Sequence, residues 1–350
     1  MGLSRNQFFT LGSFGALGMA IASTTKALST ELLGPSRMTG ITTSLSGLTS
    51  SPQILATAET ATDLMEITEP EVQMNLFQAA VLGFVQGMTE FIPISSSAHL
   101  KVVPVALGWG DPGVAFTAII QLGSMGAVFW YFWPDLSSLA NGAVRAVMRR
   151  EYDDHDFRIT LGIAIGTVPI VVFGLIVKYV IYEFYDENLR TTGAIAVVSI
   201  VMAILLGIAE RFGVRKRNFG HLTLQDGLFM GLAQVLALVP GFSRSGSTIT
   251  AGLFMGLDRT TAARFSFLLG IPAITLAGLV ELQDLFTSDL NTIGMGPLVV
   301  GLISSTIFSY LSIRWLINFL KTQSTWVFIW YRIAFGCIIL AALGLGWMQS

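Results

Sequence analysis

The sequence predicts an all-α polytopic membrane protein: an inverted-topology repeat with two re-entrant, broken-helix hairpins and about six full transmembrane helices. Three observations carry the prediction. The chain is 53% hydrophobic and only 12% charged, with a mean hydropathy of +0.68, which is far more apolar and about half as charged as a soluble domain. Six stretches reach the ~20 mostly apolar residues that a membrane crossing needs. Finally, one half of the chain resembles the other in order and in chemistry.

Residues 1–23 come first. Arg5 precedes the uncharged stretch Phe8 to Ser23, which closes on Ala20-Ile21-Ala22. That is the layout of a signal peptide with its small-residue cleavage site, or of an extra anchor. Residues 24–74 turn to Ser, Thr and Gly with the acids Glu59, Asp63, Glu66, Glu69 and Glu71, and no apolar periodicity persists, so a flexible linker is expected. Residues 75–350 form the membrane domain, with repeat 1 at about 75–210 and repeat 2 at about 222–350. Its expected full spans are Val114 to Trp133, Ile159 to Ile181, Thr191 to Ala209, Ala263 to Leu282, Gly296 to Ile317 and Val327 to Trp347. Cys337, the single cysteine, lies in the last of these, which excludes a disulfide framework or a Cys-ligated metal site within one chain. A net charge of -2 gives no basic footprint for nucleic acid, so partners are sought in the bilayer.

Loop charge sets the orientation, because an excess of Lys and Arg marks the cytoplasmic side. Arg145, Arg149, Arg150 and Arg158 lie between the first two full spans, Arg211, Arg215, Lys216 and Arg217 follow the third, and Arg314 and Lys321 bracket the loop before the last. These three loops are placed inside. The loops of Glu183, Asp186 and Glu187 and of Asp284 and Asp289 are placed outside, as is the acidic linker.

The repeat is read from short matches. Gly83-Phe84-Val85-Gln86 returns as Gly231-Leu232-Ala233-Gln234, and Ser95-Ser96-Ser97 aligns with Ser243-Arg244-Ser245, both 148 positions on (231 minus 83, 243 minus 95). Each half then holds an apolar half-helix, a Pro/Gly/Ser break and a long span. The first break is entered from outside and the second from inside, so the halves are inverted. Non-helical backbone at membrane depth must be buried in protein or line a polar cavity.

The two breaks carry complementary chemistry. Gln86 and Glu90 are four apart and share a helix face; Ser95, Ser96, Ser97 and His99 follow. The second break, Pro240-Gly241-Phe242-Ser243-Arg244-Ser245-Gly246-Ser247-Thr248, sets an Arg in a Ser/Gly turn. A charge facing lipid at mid-membrane costs roughly 2.5 to 3.5 kcal/mol, so Glu90 and Arg244 should line one shared polar cavity. Arg is a planar fork of donors suited to phosphate, and a Ser/Gly turn entering a helix forms an anion cradle. A carboxylate, a hydroxyl run and an imidazole are the groups that ligate a divalent ion, attack phosphorus and move a proton. The plainer alternatives are a structural Glu90–Arg244 ion pair, serines that bond back into their own helices, and a His99 that binds a freed carbonyl.

At these residues the chain resembles the bacterial undecaprenyl-diphosphatases, also called the bacitracin-resistance phosphatases. The matching text is Gln86-Gly-Met-Thr-Glu90-Phe-Ile-Pro-Ile-Ser-Ser-Ser-Ala-His99 and Pro240-Gly-Phe-Ser-Arg-Ser-Gly-Ser-Thr248, with Gln121-Leu-Gly-Ser124 and Phe265-Ser-Phe-Leu-Leu-Gly270 in support; it covers about Leu76 to the C-terminus. The resemblance implies hydrolysis of undecaprenyl diphosphate to the monophosphate and inorganic phosphate, a divalent cation (Mg or Ca), and a bacterial plasma-membrane location with the site open to the outer face. Glu90, Ser96, His99 and Arg244 would be catalytic. Ser95, Ser243, Arg244, Ser245 and Thr248 would bind the diphosphate, and Glu90 with Gln86 would hold the metal. Gln86 is neutral where some members have Glu, which weighs against a two-carboxylate metal site. Attack by Ser96 and attack by a metal-bound water both remain open. The expected partners are a polyprenyl diphosphate lipid, the membrane, and a second copy as an optional homodimer, with no nucleic acid. A polyprenyl-phosphate transporter or flippase is the alternative from another class.

Overall fold

A computed structural model of the chain describes residues 74–287 and 294–348. The signal-like stretch 1–23 and the linker 24–74, apart from its last residue, lie outside the described residues. Within them the chain is helical, with only an isolated bridge between Arg217 and Leu257. In order the helices are α1 Leu76–Phe91, α2 Ser96–Ala106, α3 Gly113–Arg149, α4 His155–Tyr179, α5 Tyr182–Leu189, α6 Thr192–Phe212, α7 Leu224–Gln234, α8 Arg244–Phe254, α9 Arg259–Thr287, α10 Met295–Leu320 and α11 Trp326–Gly344. A 3-10 turn, Val235–Leu238, extends α7.

Six of these helices are long and apolar enough to cross a membrane: α3, α4, α6, α9, α10 and α11. They correspond one for one to the six spans expected. Their outward faces carry exposed Trp130, Trp133, Tyr179, Phe212, Trp330 and Ile338, the reverse of a soluble bundle, whose apolar stripe turns inward. The chief difference lies in α3, which runs 37 residues through Pro134, far beyond the expected end at Trp133. The Ala-, Leu- and Met-containing continuation favours helix, so Arg145 and Arg149 ride on α3 and Arg158 on α4. The connection between those helices shrinks to 150–154. The acidic loop after α4 likewise forms the short helix α5.

Two helix crossings position the breaks. α1 packs most extensively along α10, and α7 along α4. At their closest contacts both seams carry small residues, which let helix backbones approach where no aqueous hydrophobic force acts. A Cβ at Gly83 would lie 2.5 Å from the Gly301 carbonyl oxygen, and one at Gly231 would overlap the Gly166 backbone. Serines of α10 add hydrogen bonds across their seam, Ser304 Oγ to the Ala80 carbonyl at 2.7 Å and Ser312 Oγ to the Gly87 carbonyl at 2.9 Å.

At one end of the bundle, the buried Glu210 at the foot of α6 gathers Arg215 Nη1 at 2.6 Å, Thr325 Oγ1 at 2.8 Å and the Arg259 guanidinium. Nearby, Arg217 takes both oxygens of the fully buried Asp226, which also caps α7 through the Thr223 backbone and hydroxyl. Together these pairs fix the ends of α6, α7, α9 and α11.

Candidate active site

Each break begins where a proline is due. Ile92, ahead of Pro93, is extended at φ -67, ψ 138, and Val239, ahead of Pro240, at φ -84, ψ 118; the proline ring disfavours helix at the residue before it. The next helix opens in each case from a serine at positive φ: Ser95 at φ 76 and Ser243 at φ 70. L-residues seldom adopt this region, and holding one there costs on the order of 1–3 kcal/mol. The same bonds hold both. The Ser95 carbonyl accepts from the His99 backbone N–H and from His99 Nδ1, at 3.3 and 2.7 Å. The Ser243 carbonyl accepts from the Ser247 backbone N–H and from Ser247 Oγ, both at 2.9 Å. Ser95 and Ser97 hydroxyls meet at 3.1 Å, those of Ser243 and Ser245 at 3.2 Å. All of these pairs keep the 148-residue spacing.

The breaks meet at Glu90, in the last turn of α1. Ser96 Oγ donates to Glu90 Oε2 at 2.6 Å, and Arg244 Nη2 donates to Glu90 Oε1 at 3.4 Å. Ser96 and Arg244 are themselves 148 residues apart (244 minus 96), so equivalent positions of the two breaks take one carboxylate oxygen each. Ser245 Oγ ties the second break to the first through the Ile92 carbonyl at 3.3 Å. Gln86 Nε2 donates to Glu90 Oε2 at 3.2 Å, to Gln121 Oε1 at 2.5 Å and to Ser124 Oγ at 3.3 Å. The side chains of Arg244 and Glu90 are 11% and 8% exposed, so the pair interacts in surroundings of low dielectric, where charges act strongly on one another.

The Glu90–Arg244 contact is a loose bridge through one nitrogen. Arg244 Nη1 is buried and has no hydrogen-bond partner among the described residues. The guanidinium lies against the bare backbone of Gly270 in α9, where a Cβ would overlap Nη1. A guanidinium with an unspent donor, next to an acid and a hydroxyl, can receive a phosphate oxygen by a charge-assisted bond.

Thus the structure brings together Gln86, Glu90, Ser96 and Arg244. Ser95, Ser243 and Ser245 lie in the backbone turns beside them. Thr248 is fully buried and bonds to the Arg244 carbonyl at 2.8 Å and to Ser266 Oγ at 2.5 Å. His99 engages Ser95 through Nδ1 and the Tyr331 hydroxyl through Nε2 at 2.6 Å, with Phe335 stacked on its ring. A carbonyl can only accept, so Nδ1 carries a proton; with the ring neutral, Nε2 then accepts from the Tyr331 O–H. In the sequence Gln121 and Ser124 stand out only as part of the family resemblance, and Tyr331 and Arg332 do not stand out among the motifs. The signal for Arg332 was there: an ionisable residue inside an apolar span.

Six apolar helices around a buried acid, a half-buried hydroxyl and a nearly buried guanidinium define a multi-pass membrane protein with a polar centre between its helices. The model of the bacitracin resistance protein BacA family matches residues 79–338, and the chain belongs to that family. It is 66% identical to the undecaprenyl-diphosphatase of Trichormus variabilis over 278 residues, 79% of this chain and 87% of that one. Against the undecaprenyl-diphosphatase of Synechocystis the identity is 61% over 275 residues, covering 79% and 84%. Against that of Synechococcus elongatus it is 58% over 278 residues, covering 79% and 96%.

Proposed function

We infer that this chain is a hydrolase that converts undecaprenyl diphosphate to undecaprenyl phosphate and inorganic phosphate, returning the lipid carrier to the synthesis of peptidoglycan and other cell-wall polymers. The observation that carries the reading at the level of chemistry is the convergence of Ser96 and Arg244 on the two oxygens of Glu90, with Arg244 Nη1 unspent. The names of the similar proteins supply the substrate.

In this reading the terminal phosphate enters beside Arg244, which neutralises its charge, and the turns at Ser95 and Ser243 offer hydroxyls and helix N-termini to its oxygens. Ser96 Oγ attacks the terminal phosphorus, its proton passes to Glu90, and the bridging P–O bond breaks to release undecaprenyl phosphate. Water then cleaves the phosphoserine to inorganic phosphate. The 2.6 Å bond from Ser96 Oγ to Glu90 favours this route with Glu90 as base. His99, with both ring nitrogens engaged, acts by holding the Ser95 turn. Glu90 and the Ser96 hydroxyl offer the oxygen chemistry that suits Mg or Ca, whereas Gln86 presents its Nε2 to Glu90 and would have to turn its amide over to add an oxygen. With one carboxylate present, the fit is to a cation shared between protein and substrate phosphates. When bound, such a cation would screen phosphate charge.

The architecture that goes with this function is an inverted repeat of two re-entrant hairpins in the bacterial plasma membrane, opening to the outer face. Its support is the 148-residue congruence of Ser95 with Ser243, His99 with Ser247 and Gly83 with Gly231, together with the exchanged pairing of α1 with α10 and α7 with α4. The basic residues of the loops support the orientation.

Phosphate release from undecaprenyl diphosphate by the detergent-solubilised protein tests the reading. Wild type should turn over in Mg or Ca, and Glu90→Ala, Ser96→Ala and Arg244→Ala should each lose at least 100-fold. A wild type silent across divalent ions would remove the enzyme reading. Ser96→Ala with near-full activity would remove the serine route alone.

A further inference from the structure

Arg332 sits in the second turn of α11 and is fully buried. No carboxylate lies within ion-pair distance of it among the described residues; instead its guanidinium is spent on three backbone carbonyls. Nη1 donates to Pro93 at 3.2 Å, Nη2 to Gly241 at 2.5 Å and Nε to Ser199 of α6 at 3.2 Å. Pro93 and Gly241 are also 148 residues apart (241 minus 93), and they stand three residues ahead of Ser96 and Arg244 respectively. One planar group therefore holds the same point of both breaks, just upstream of the two side chains that take Glu90.

A break at membrane depth frees carbonyls that need partners. Separate waters or hydroxyls could satisfy each carbonyl, but they would leave the two breaks free to shift relative to one another. A guanidinium has its donors fixed in one plane, so binding both carbonyls fixes their separation. α11 is itself held close to α6, since a Cβ at Gly336 would lie 2.8 Å from the Ala196 carbonyl oxygen, and the Ser199 bond completes the anchor. We propose that Arg332 is a positioning residue that sets the spacing of the two breaks, and through it the placement of Ser96 and Arg244 on Glu90. The proposal rests on the reading of those three residues as the reacting centre.

The experiment is turnover of undecaprenyl diphosphate by Arg332→Ala and Arg332→Lys, each first checked for a monodisperse folded species in detergent. Lys keeps the charge but loses the planar fork. Expected are a kcat at least 100-fold below wild type in both, a KM within about threefold, and recovery of tenfold or more in Arg332→Ala on adding guanidinium but not methylammonium. Turnover within threefold of wild type in either folded variant overturns the proposal, as does equal rescue by the two cations. Failure of both variants to fold assigns Arg332 to folding alone and also overturns it. Ser96→Ala and Arg244→Ala, measured alongside, separate the two levels: full turnover in both removes the reacting centre itself, whatever Arg332 does.

Discussion

Gly270→Ala asks whether the placement of Arg244 matters independently of its presence. A methyl at residue 270 would overlap Arg244 Nη1, and ordinary van der Waals separation is about 3.5 Å or more, so the guanidinium must retreat by roughly 2 Å. Its 3.4 Å contact with Glu90 cannot survive that retreat unchanged. Misplacement of a catalytic group by ~1 Å can cost about 100-fold, and loss of one charge-stabilising donor about 100- to 1,000-fold. The expected fall in kcat/KM is therefore about 100- to 1,000-fold, or roughly 2.7 to 4 kcal/mol of transition-state stabilisation. The fold should hardly notice, because the obstructing group is the end of a flexible side chain and Ala is favoured over Gly within a helix by about 1 kcal/mol. The assay is phosphate release at several substrate concentrations, paired with a thermal melt in detergent. Activity within threefold of wild type would refute the reasoning, and so would a large drop in melting temperature, which would mean that the backbone rather than Arg244 gave way.

Tyr331→Phe removes only the donor to His99 Nε2, a net hydrogen bond of about 1 kcal/mol, so turnover should fall less than tenfold. His99→Ala also removes the Nδ1 bond to the Ser95 carbonyl and should fall further; equal losses would show the ring to matter only through Tyr331. Glu210→Gln leaves Arg215 and Arg259 without their carboxylate. Removing one partner of a buried pair costs ~3–5 kcal/mol, and the partly exposed arginines reduce this to about 2–3 kcal/mol; an unchanged melting temperature would contradict the assignment. Chelation should abolish turnover reversibly, and Glu90→Gln should raise the Mg concentration needed for half-activation of any residual activity. Activity indifferent to chelator would exclude the shared cation.

The six spans were legible because apolar length survives any tertiary context, and the breaks because Pro and Gly act locally. Glu90, Ser96 and Arg244 were legible because charges and hydroxyl runs stand out in apolar text. Arg332 and Tyr331 were not assigned, since their meaning lies in partners as distant in sequence as Pro93 and His99. The length of α3 escaped for a different reason: Arg145, Arg149 and Arg150 read locally as a loop, whereas the helix carries on through the first two.

The congruence of the two breaks has a consequence for stoichiometry. Gln86 has its counterpart in Gln234, a fully buried amide with no hydrogen-bond partner among the described residues, but Glu90 finds Leu238 at the matching position. The backbone frame is thus present twice and its acid once. On the proposed reading each chain would host a single turnover at a time, with the second frame serving as the arm that brings Arg244 to Glu90 of the first.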